Sequence, residues 1–298
     1  MNIQAWIKAA RLRTLPLSLS GIIAGSFAAY MQGFWDAQIF TLAMLTTLFL
    51  QVLSNFANDL GDSYKGADNE NRIGPERAIQ SGAISQKQMI KAVILFSVLA
   101  LGTAVPLIII GTQEMPNSVL WTYVLLAIAC VLAAITYTIG KKAYGYHGLG
   151  DLMVLLFFGF VSVVGVYTMY TKQIDIAIFG LATCIGLLSV AVLNLNNMRD
   201  HVNDAAVNKK TLVVAIGFRY ARLYHALLIH FSFLGYLFFV GYHSHLIGLI
   251  AVLPYVFLFR HLIKVWRTKD PKSLDPELKK VALSTFFIAV LFSISTFL

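Results

Sequence analysis

The chain has 298 residues, of which 58% are hydrophobic and only 12% charged, a composition that excludes an ordinary soluble globular protein. The net charge of +9 would suit a nucleic-acid-binding protein, but the basic residues lie in short connections between apolar runs rather than along one soluble face. We therefore expect a lipid bilayer and no nucleic acid as partner. The two cysteines lie inside apolar runs, so free thiols are expected rather than a disulfide framework.

Nine apolar runs, each long enough to cross a bilayer, follow one another along the chain. Spanning helices are expected because unpaired backbone groups are not tolerated in lipid, and the alternating pattern of a β-barrel is absent from the sequence. The sequence thus predicts an all-α integral membrane bundle of about nine transmembrane helices, forming one domain over residues 1–298. The runs lie at roughly 15–33, 38–57, 89–112, 119–139, 152–171, 174–197, 223–242, 245–263 and 281–298.

The distribution of basic residues predicts the orientation of the bundle. Lys8, Arg11 and Arg13 precede the first run and superficially resemble a secretory signal, but the next run follows closely and no small-residue cleavage site stands out. We therefore interpret the first run as a span. If the N-terminus is cytoplasmic, every basic residue of the 23 except Lys172 falls on the cytoplasmic side.

The second run ends in a cluster of polar residues that contains Asn55, Asn58, Asp59 and Asp62, with Asp68 a little further on. If the helix continues, Asn55, Asp59 and Asp62 stand at i, i+4 and i+7 on one face. Carboxylates on one stripe repel one another, and ionisable groups at a membrane-embedded helix end are usually functional or paired. A cation or a basic partner is therefore expected.

A second cluster, at the end of the sixth run, repeats this chemistry with Asn196, Asn197, Arg199, Asp200 and Asp204. The spacing of i, i+4 and i+8 again places one amide and two carboxylates on one helical face. Both runs cross the membrane in the same direction and lie four spans apart, which hints at the duplication of a four-helix unit.

Two oxygen-rich clusters on one side of the membrane predict a Mg²⁺ site that also takes phosphate oxygens. The predicted metal ligands are Asn58, Asp59, Asp62, Asp68, Asp200 and Asp204. Basic side chains beside them are expected to bind the phosphate oxygens that the metal leaves free, although such charges are also typical of topology signals. These are Lys65, Arg72, Arg77, Lys141, Lys209 and Lys210, with Tyr137, one helical turn before Lys141, as a hydroxyl donor.

Together, three motifs resemble the UbiA-type intramembrane aromatic prenyltransferases: Asn58-Asp59-x-x-Asp62 with a later acid, Asp200-x-x-x-Asp204, and Tyr137-x-x-x-Lys141. The resemblance extends over nearly the whole chain. In the general family pattern a third acid follows the second after three residues, whereas Asp68 comes six after Asp62 here. This longer spacing is similar to the branch that prenylates 1,4-dihydroxy-2-naphthoate in menaquinone synthesis. Other stretches similar to that branch are Arg13-Thr14-Leu15-Pro16, Arg72-Ile73-Gly74-Pro75, Gln80-Ser81-Gly82, Tyr146-His147-Gly148-Leu149-Gly150-Asp151 and Phe157-Phe158-Gly159.

The resemblance implies nine helices around a central cavity in the cell inner membrane, with polyprenyl diphosphate held under a cytoplasmic cap. It implies an enzyme that prenylates 1,4-dihydroxy-2-naphthoate with loss of CO₂ and diphosphate, giving demethylmenaquinone. Other aromatic acceptors, 4-hydroxybenzoate or homogentisate, remain open. The residues expected to be catalytic are Asp59, Asp62, Asp200 and Asp204, and those expected to contact the acceptor or support the motifs are Arg13, Asn55, Asn196 and Asn197.

Two other classes of protein share some of these features. An ion-coupled transporter also uses duplicated helical units and acidic residues, but its coupling site is expected near the bilayer midplane, whereas these acids end their spans on one side. A CDP-alcohol phosphotransferase also uses Asp-x-x-x-Asp with a divalent metal. The Asp-Gly-x-x-Ala-Arg lead of that family is missing before Asp200. The sequence therefore favours the prenyltransferase.

Overall fold

The computed structural model describes residues 3–68, 73–74 and 76–298, and over these residues it contains helices, turns and loops but no β-strand. The segment between α6 and α7 is a continuous π-helix, Leu155–Val164, and a 3₁₀ helix, Leu246–Val252, leads into α10. The α-helices, in chain order, are α1 (Ile3–Ala10), α2 (Leu15–Met31), α3 (Ala37–Tyr64), α4 (Gln86–Gly111), α5 (Asn117–Thr136), α6 (Gly150–Val154), α7 (Gly165–Thr171), α8 (Ile178–Ala206), α9 (Leu212–Tyr242), α10 (Leu253–Arg267) and α11 (Asp275–Ser295).

Within the described part of the chain, nine helical segments are long and apolar enough to cross a membrane, which confirms the predicted architecture. The helices extend beyond several of the apolar runs. An example is α9, which begins at Leu212, ahead of the seventh run at 223–242, and which a kink at Gly217 (φ 81°, ψ 157°) divides into two parts. Its start is set by Thr211, whose hydroxyl accepts a hydrogen bond from the backbone N–H of Val214, because an N-cap permits a helix to begin in a polar stretch.

The N-terminal segment is a separate short helix rather than the start of the first span. Helix α1 packs on α3, and the rings of Trp6 and Phe56 meet edge to face with centroids 5.4 Å apart. The chain then turns at Arg11, which has a left-handed backbone conformation with φ 48°, before α2 begins at Leu15. This turn brings the basic N-terminal segment against the polar end of α3.

Helix α8 forms the centre of the bundle and packs on α9, on the π-helix, on α11 and on α2. Small residues allow the closest approaches. A Cβ added at Gly180 would lie 2.6 Å from the carbonyl oxygen of Gly235 on α9, and one added at Gly159 would lie 2.8 Å from the carbonyl oxygen of Ala182. Such contacts between small residues are how membrane helices gain packing energy without a hydrophobic driving force. They hold the second acidic cluster on a rigid helix.

Three connections meet where α3 and α8 end. A small buried core made of Ala67, Ala143 and Tyr146, with Val207 packed against it, joins the segment after α3, the loop after α5 and the segment after α8. The two helix ends that carry the acidic clusters therefore lie at one end of the bundle. The proposed duplication of a four-helix unit stays a prediction.

Candidate active site

The first acidic cluster lies on α3, which stays helical as far as Tyr64. Asn55, Asp59 and Asp62 accordingly share one face, and all three are buried. The side-chain amide of Asn55 donates a 2.8 Å hydrogen bond to the carbonyl oxygen of Ala10. Asn55 thus fixes the N-terminal segment against α3.

Two arginines neutralise the buried carboxylate of Asp59. Arg77 Nη1 lies 2.8 Å from Asp59 Oδ1, and Arg11 forms an ion pair with the same oxygen. Arg77 also reaches Asp68, with 3.5 Å between Nε and Oδ1. Arg13, which was expected near the acceptor, is exposed. The turn at residue 11 directs Arg11 towards the site instead.

Asp62 faces Tyr146, whose hydroxyl donates a 2.8 Å hydrogen bond to Asp62 Oδ1. Two lysines lie over the ring of Tyr146, with Nζ 3.9 Å from its centroid for Lys65 and 5.4 Å for Lys209. Burial raises the pKa of the Tyr146 phenol, and the carboxylates of Asp62, Asp204 and Asp68 raise it further. Tyr146 therefore stays protonated and acts as a hydrogen-bond donor between two lysines and acids from both clusters.

In the second cluster, Asp200 is tied to Arg199. The guanidinium donates two hydrogen bonds to the Asp200 carboxylate, 2.9 Å from Nε and 2.6 Å from Nη2. It also bonds Asn196 Oδ1 at 2.8 Å and Asp275 Oδ1 at 2.5 Å. Because Arg199 is only 1% exposed, this network fixes the charge at the end of α8 and connects it to the start of α11. Asn196 thus supports the motif by holding Arg199.

Among the residues that the structure describes, the side chain of Asp204 makes fewer hydrogen-bond and ion-pair contacts than that of Asp200. Its Oδ1 lies 3.5 Å from Lys209 Nζ, while Oδ2 is buried and has no hydrogen-bond partner within the described residues. The same holds for Oδ1 of Asn197, one of the predicted motif-supporting residues. A buried acceptor oxygen without a donor destabilises a folded protein. These two oxygens are therefore candidate ligands for a bound cation.

Direct hydrogen bonds join the segments next to the two clusters. The side-chain amide of Asn203 on α8 donates to the carbonyl oxygen of Ala67 at 3.1 Å, and the backbone N–H of Lys210 donates to the carbonyl oxygen of Tyr146, also at 3.1 Å. The side chain of Lys210 is exposed. The structure thus brings the two acid-bearing helix ends together on one side of the bundle.

The prediction that Tyr137 and Lys141 lie one helical turn apart is wrong. Helix α5 ends at Thr136, and Gly140 then adopts φ 98°, a left-handed conformation that turns the chain away. Lys141 is consequently exposed. Tyr137 packs edge to face on Tyr144, and burial raises its pKa, with further contributions from the carboxylates of Asp151, Asp62 and Asp204.

Two further predicted residues remain. Asn58 is half-buried, and its Oδ1 lies 3.4 Å from Thr138 Oγ1, which donates to the carbonyl oxygen of Ala57. Arg72, expected to bind phosphate, lies outside the described residues.

The donor set suits magnesium. Among the described residues, no three acidic, histidine or cysteine side chains converge on one point as a complete metal cage would require. Mg²⁺ does not need such a cage, since it is usually held by one or two carboxylates together with substrate phosphates and water. Asp62 and Asp204, with the amide oxygen of Asn197, offer hard oxygen ligands of this kind.

Sequence reasoning missed Arg11 and Tyr146 as site residues. Tyr146 stands in a stretch that carried the family resemblance, but it lies in a loop, where no helical periodicity marks the side that faces the acids. The sequence predicts Arg11 only as a topology signal. Its position beside Asp59 depends on the turn between α1 and α2, which the sequence pattern does not predict.

Solved structures share this fold. A UbiA homologue from Archaeoglobus fulgidus bound to GPP and Mg²⁺ has a TM-score of 0.69 and 15% identity, covering 98% of each chain. A UbiA homologue from Aeropyrum pernix in its apo form has the same TM-score with 14% identity, covering 99% of this chain and 98% of its own. The fold therefore defines a multi-pass membrane protein with the architecture of the UbiA homologues.

The model of the UbiA prenyltransferase family matches residues 18–291, and the chain belongs to that family. Two curated relatives named 1,4-dihydroxy-2-naphthoate octaprenyltransferase are similar over nearly their whole length. The Haemophilus influenzae protein is 42% identical over 297 residues, covering 98% of this chain and 96% of its own. The Escherichia coli protein is 38% identical over 296 residues, covering 99% and 96%. The predicted family is thus confirmed, and the transporter and CDP-alcohol phosphotransferase alternatives are set aside.

Proposed function

We propose that this protein transfers a polyprenyl group from polyprenyl diphosphate to 1,4-dihydroxy-2-naphthoate. The allylic carbon–oxygen bond breaks with release of diphosphate, and a bond forms from the prenyl carbon to the ring carbon that bears the carboxylate. That carboxylate leaves as CO₂, giving demethylmenaquinone in its reduced quinol form. The similarity to two relatives named for this reaction supports the acceptor, and their names point to an octaprenyl donor.

The observation that carries the proposal is the junction of the two acidic helix ends around Tyr146. Acids from both clusters act on its hydroxyl, while Lys65 and Lys209 lie over its ring. Alternating carboxylates and ammonium groups in a largely buried site are suited to a diphosphate bound together with Mg²⁺. We infer that Asp62 and Asp204, with Asn197, hold the metal, and that Asp59 and Asp200 organise the arginines beside it.

When bound, Mg²⁺ supplies positive charge that stabilises the diphosphate leaving group. The protein's own cations do the rest of this work: Lys65 and Lys209 are placed to donate hydrogen bonds to phosphate oxygens, and Arg77 and Arg11 add charge from the side of Asp59. Tyr146 holds the Asp62 carboxylate in one orientation. The buried setting excludes water, which would otherwise capture the allylic cation before the acceptor does.

The membrane placement follows from charge. We infer that the N-terminus and the acidic site face the cytoplasm and that the protein lies in the cell inner membrane, because the basic residues concentrate on the side where α3 and α8 end. The polyprenyl tail is apolar, so it extends from the site into the bundle or the surrounding lipid.

The test is product identification with purified protein in lipid nanodiscs. Octaprenyl diphosphate and Mg²⁺ are supplied with 1,4-dihydroxy-2-naphthoate, 4-hydroxybenzoate or homogentisate, and products are identified by mass. We expect a decarboxylated prenyl naphthoquinol and no product when EDTA replaces Mg²⁺. Turnover of only another acceptor would overturn the naphthoate assignment and retain the prenyltransferase, whereas no prenylated product from any acceptor would overturn both.

A further inference from the structure

A groove of about 640 Å³ lies between α10 and α11, and the prenyl-transfer site does not use it. Both walls change from cationic to apolar in the same direction. On α10, Arg260 and Lys264 line one end and Leu253 and Phe257 the other. On α11 the sequence of lining residues runs from Lys280 through Leu283 and Phe287 to Leu291. A ligand with an anionic head and an apolar tail matches this gradient.

A buried carboxylate holds the two lysines at the mouth of the groove. Glu277 is 0% exposed, and its Oε1 lies 3.0 Å from Lys264 Nζ and 2.7 Å from Lys280 Nζ. Its other oxygen, Oε2, is 2.6 Å from Nδ1 of His261, which forms part of the groove wall. The lysine side chains remain 50% and 58% exposed, and an ammonium group has three donors, so each can bind Glu277 and a ligand together.

The charge at the mouth favours an anion. Among the described residues that line the groove, Arg260, Lys264 and Lys280 are cationic and Glu277 is the one carboxylate, which leaves an excess of positive charge. That end of the groove lies on the same side of the bundle as the acidic site, since Asp275 at the start of α11 pairs with Arg199. This is the side for which we infer a cytoplasmic position, where anionic lipids attract basic residues next to membrane helices.

The length of the groove fits one leaflet. From Lys264 back to Leu253, α10 rises about 16 Å at 1.5 Å per residue, close to half of the roughly 30 Å hydrocarbon core. The one carboxylate among the described lining residues, Glu277, is engaged by cations, which makes this a poor magnesium–diphosphate site. We propose that the groove between α10 and α11 is a binding site for an anionic phospholipid of the adjacent leaflet, with its phosphate at Arg260, Lys264 and Lys280.

Lipid retention measured by native mass spectrometry tests this site. The purified full-length protein is equilibrated with equal amounts of phosphatidylglycerol and phosphatidylcholine that carry the same acyl chains, and the ratio of retained lipids is recorded. We expect the wild type to retain phosphatidylglycerol preferentially and R260Q to lower that preference about fivefold. The matched control is K91Q, which removes one exposed charge from α4, away from the groove, and should leave the ratio unchanged.

A charge-balanced variant, K264Q/E277Q/K280Q, removes both lysines without leaving Glu277 buried and unpaired, and it should lose the preference as well. R260Q does not touch that network, so it tests the site even if the triple variant fails to fold. Equal retention of the two lipids by the wild type, or an equal effect of K91Q and R260Q, would overturn the proposal.

Two competitors identify the occupant. Glycerol 3-phosphate, which has the phosphate but no tail, should not displace the bound lipid at equal concentration, and neither should polyprenyl diphosphate. Displacement by the first would reduce the groove to an anion site. Displacement by the second would make it a docking place for the donor substrate. Either result contradicts a phospholipid site.

Discussion

The hydroxyl of Tyr146 donates a 2.8 Å hydrogen bond to Asp62, and the backbone carbonyl oxygen of Tyr146 accepts a hydrogen bond from the backbone N–H of Lys210. One loop residue thus connects the end of α3 with the segment that follows α8. Its position makes the orientation of Asp62 depend on the contact between the two acidic clusters, since the donor is held in place from the side of the second cluster.

Replacement of Tyr146 by phenylalanine removes the hydroxyl and keeps the ring under Lys65 and Lys209. Since a partner that orients a metal ligand is typically worth 10–100-fold, we expect Y146F to lower the rate of prenyl transfer by about that factor and to raise the Mg²⁺ concentration needed for half-maximal activity. The measurement is a Mg²⁺ titration of initial rates. An unchanged titration with a full rate would show that this hydrogen bond does not serve the site.

Asp200 needs two substitutions, because it neutralises the buried Arg199. D200A removes two of the four hydrogen-bond acceptors of the Arg199 guanidinium and leaves those of Asn196 and Asp275. Breaking a buried ion pair costs up to about 3–5 kcal/mol, so we expect a lower melting temperature and less protein in the membrane. D200N keeps one acceptor oxygen and should be closer to wild type in stability while still losing activity. Thermal unfolding and activity are measured for both variants. Equal melting temperatures for D200A and wild type would contradict a structural role for the pair.

Gly61 lies where α3 meets the loop after α5. A Cβ at this position would be 2.4 Å from Thr138 Oγ1 and 2.6 Å from the backbone carbon of Thr138, so G61A must push the helix and the loop apart. Overpacking of this kind typically costs about 1–3 kcal/mol, and it displaces the neighbouring Asp62.

We expect G61A to lower both the melting temperature and the rate of prenyl transfer. G102A on α4 is the matched control, because a Cβ there meets no atom within 4 Å of the described structure. It should be neutral or stabilising by about 0.5–1 kcal/mol, as expected when alanine replaces glycine within a helix. If both variants behave alike, the close contact at Gly61 has no consequence.

The pH dependence of prenyl transfer should reflect the ionisation of Lys65. Burial lowers its pKa from the ordinary value of 10.5, the neighbouring Lys209 lowers it further, and Asp62 opposes the shift. Lys65 is charged below its pKa, so it loses its charge at a lower pH than an ordinary lysine does. Because kcat/KM reports the free enzyme, its value for polyprenyl diphosphate should fall early on the alkaline side.

K65R should move that fall to higher pH, because a guanidinium stays protonated throughout the accessible range. K91R, which changes an exposed lysine on α4, should leave the profile unchanged. Superimposable alkaline limbs for wild type and K65R would exclude Lys65 as the titrating group.

The sequence predicted those parts of the site that helical periodicity determines. Asp59 and Asp62 share a face because α3 continues to Tyr64, and Asp200 and Asp204 do so because α8 continues to Ala206. Periodicity depends only on local backbone geometry, so a single sequence suffices to read it.

The parts that depend on turns were not predictable in this way. Arg11, rather than the expected Arg13, contacts the first acidic cluster because the chain turns at Arg11. Lys141 is exposed because α5 ends at Thr136. The place of Tyr146 depends on packing among three connections that are distant in sequence. Such positions follow from tertiary contacts, which no local pattern encodes.

The most direct test of a shared site is prenyl transfer to 1,4-dihydroxy-2-naphthoate by the purified variants D62N and D204N, one from each helix end, beside E114Q. Glu114 lies in the connection between α4 and α5, at the opposite end of the bundle. We expect D62N and D204N each to lose more than about 100-fold in rate, beyond what loss of an outer-shell partner costs, and E114Q to keep the wild-type rate. Near-normal turnover by either aspartate variant would contradict a single site built from both helix ends.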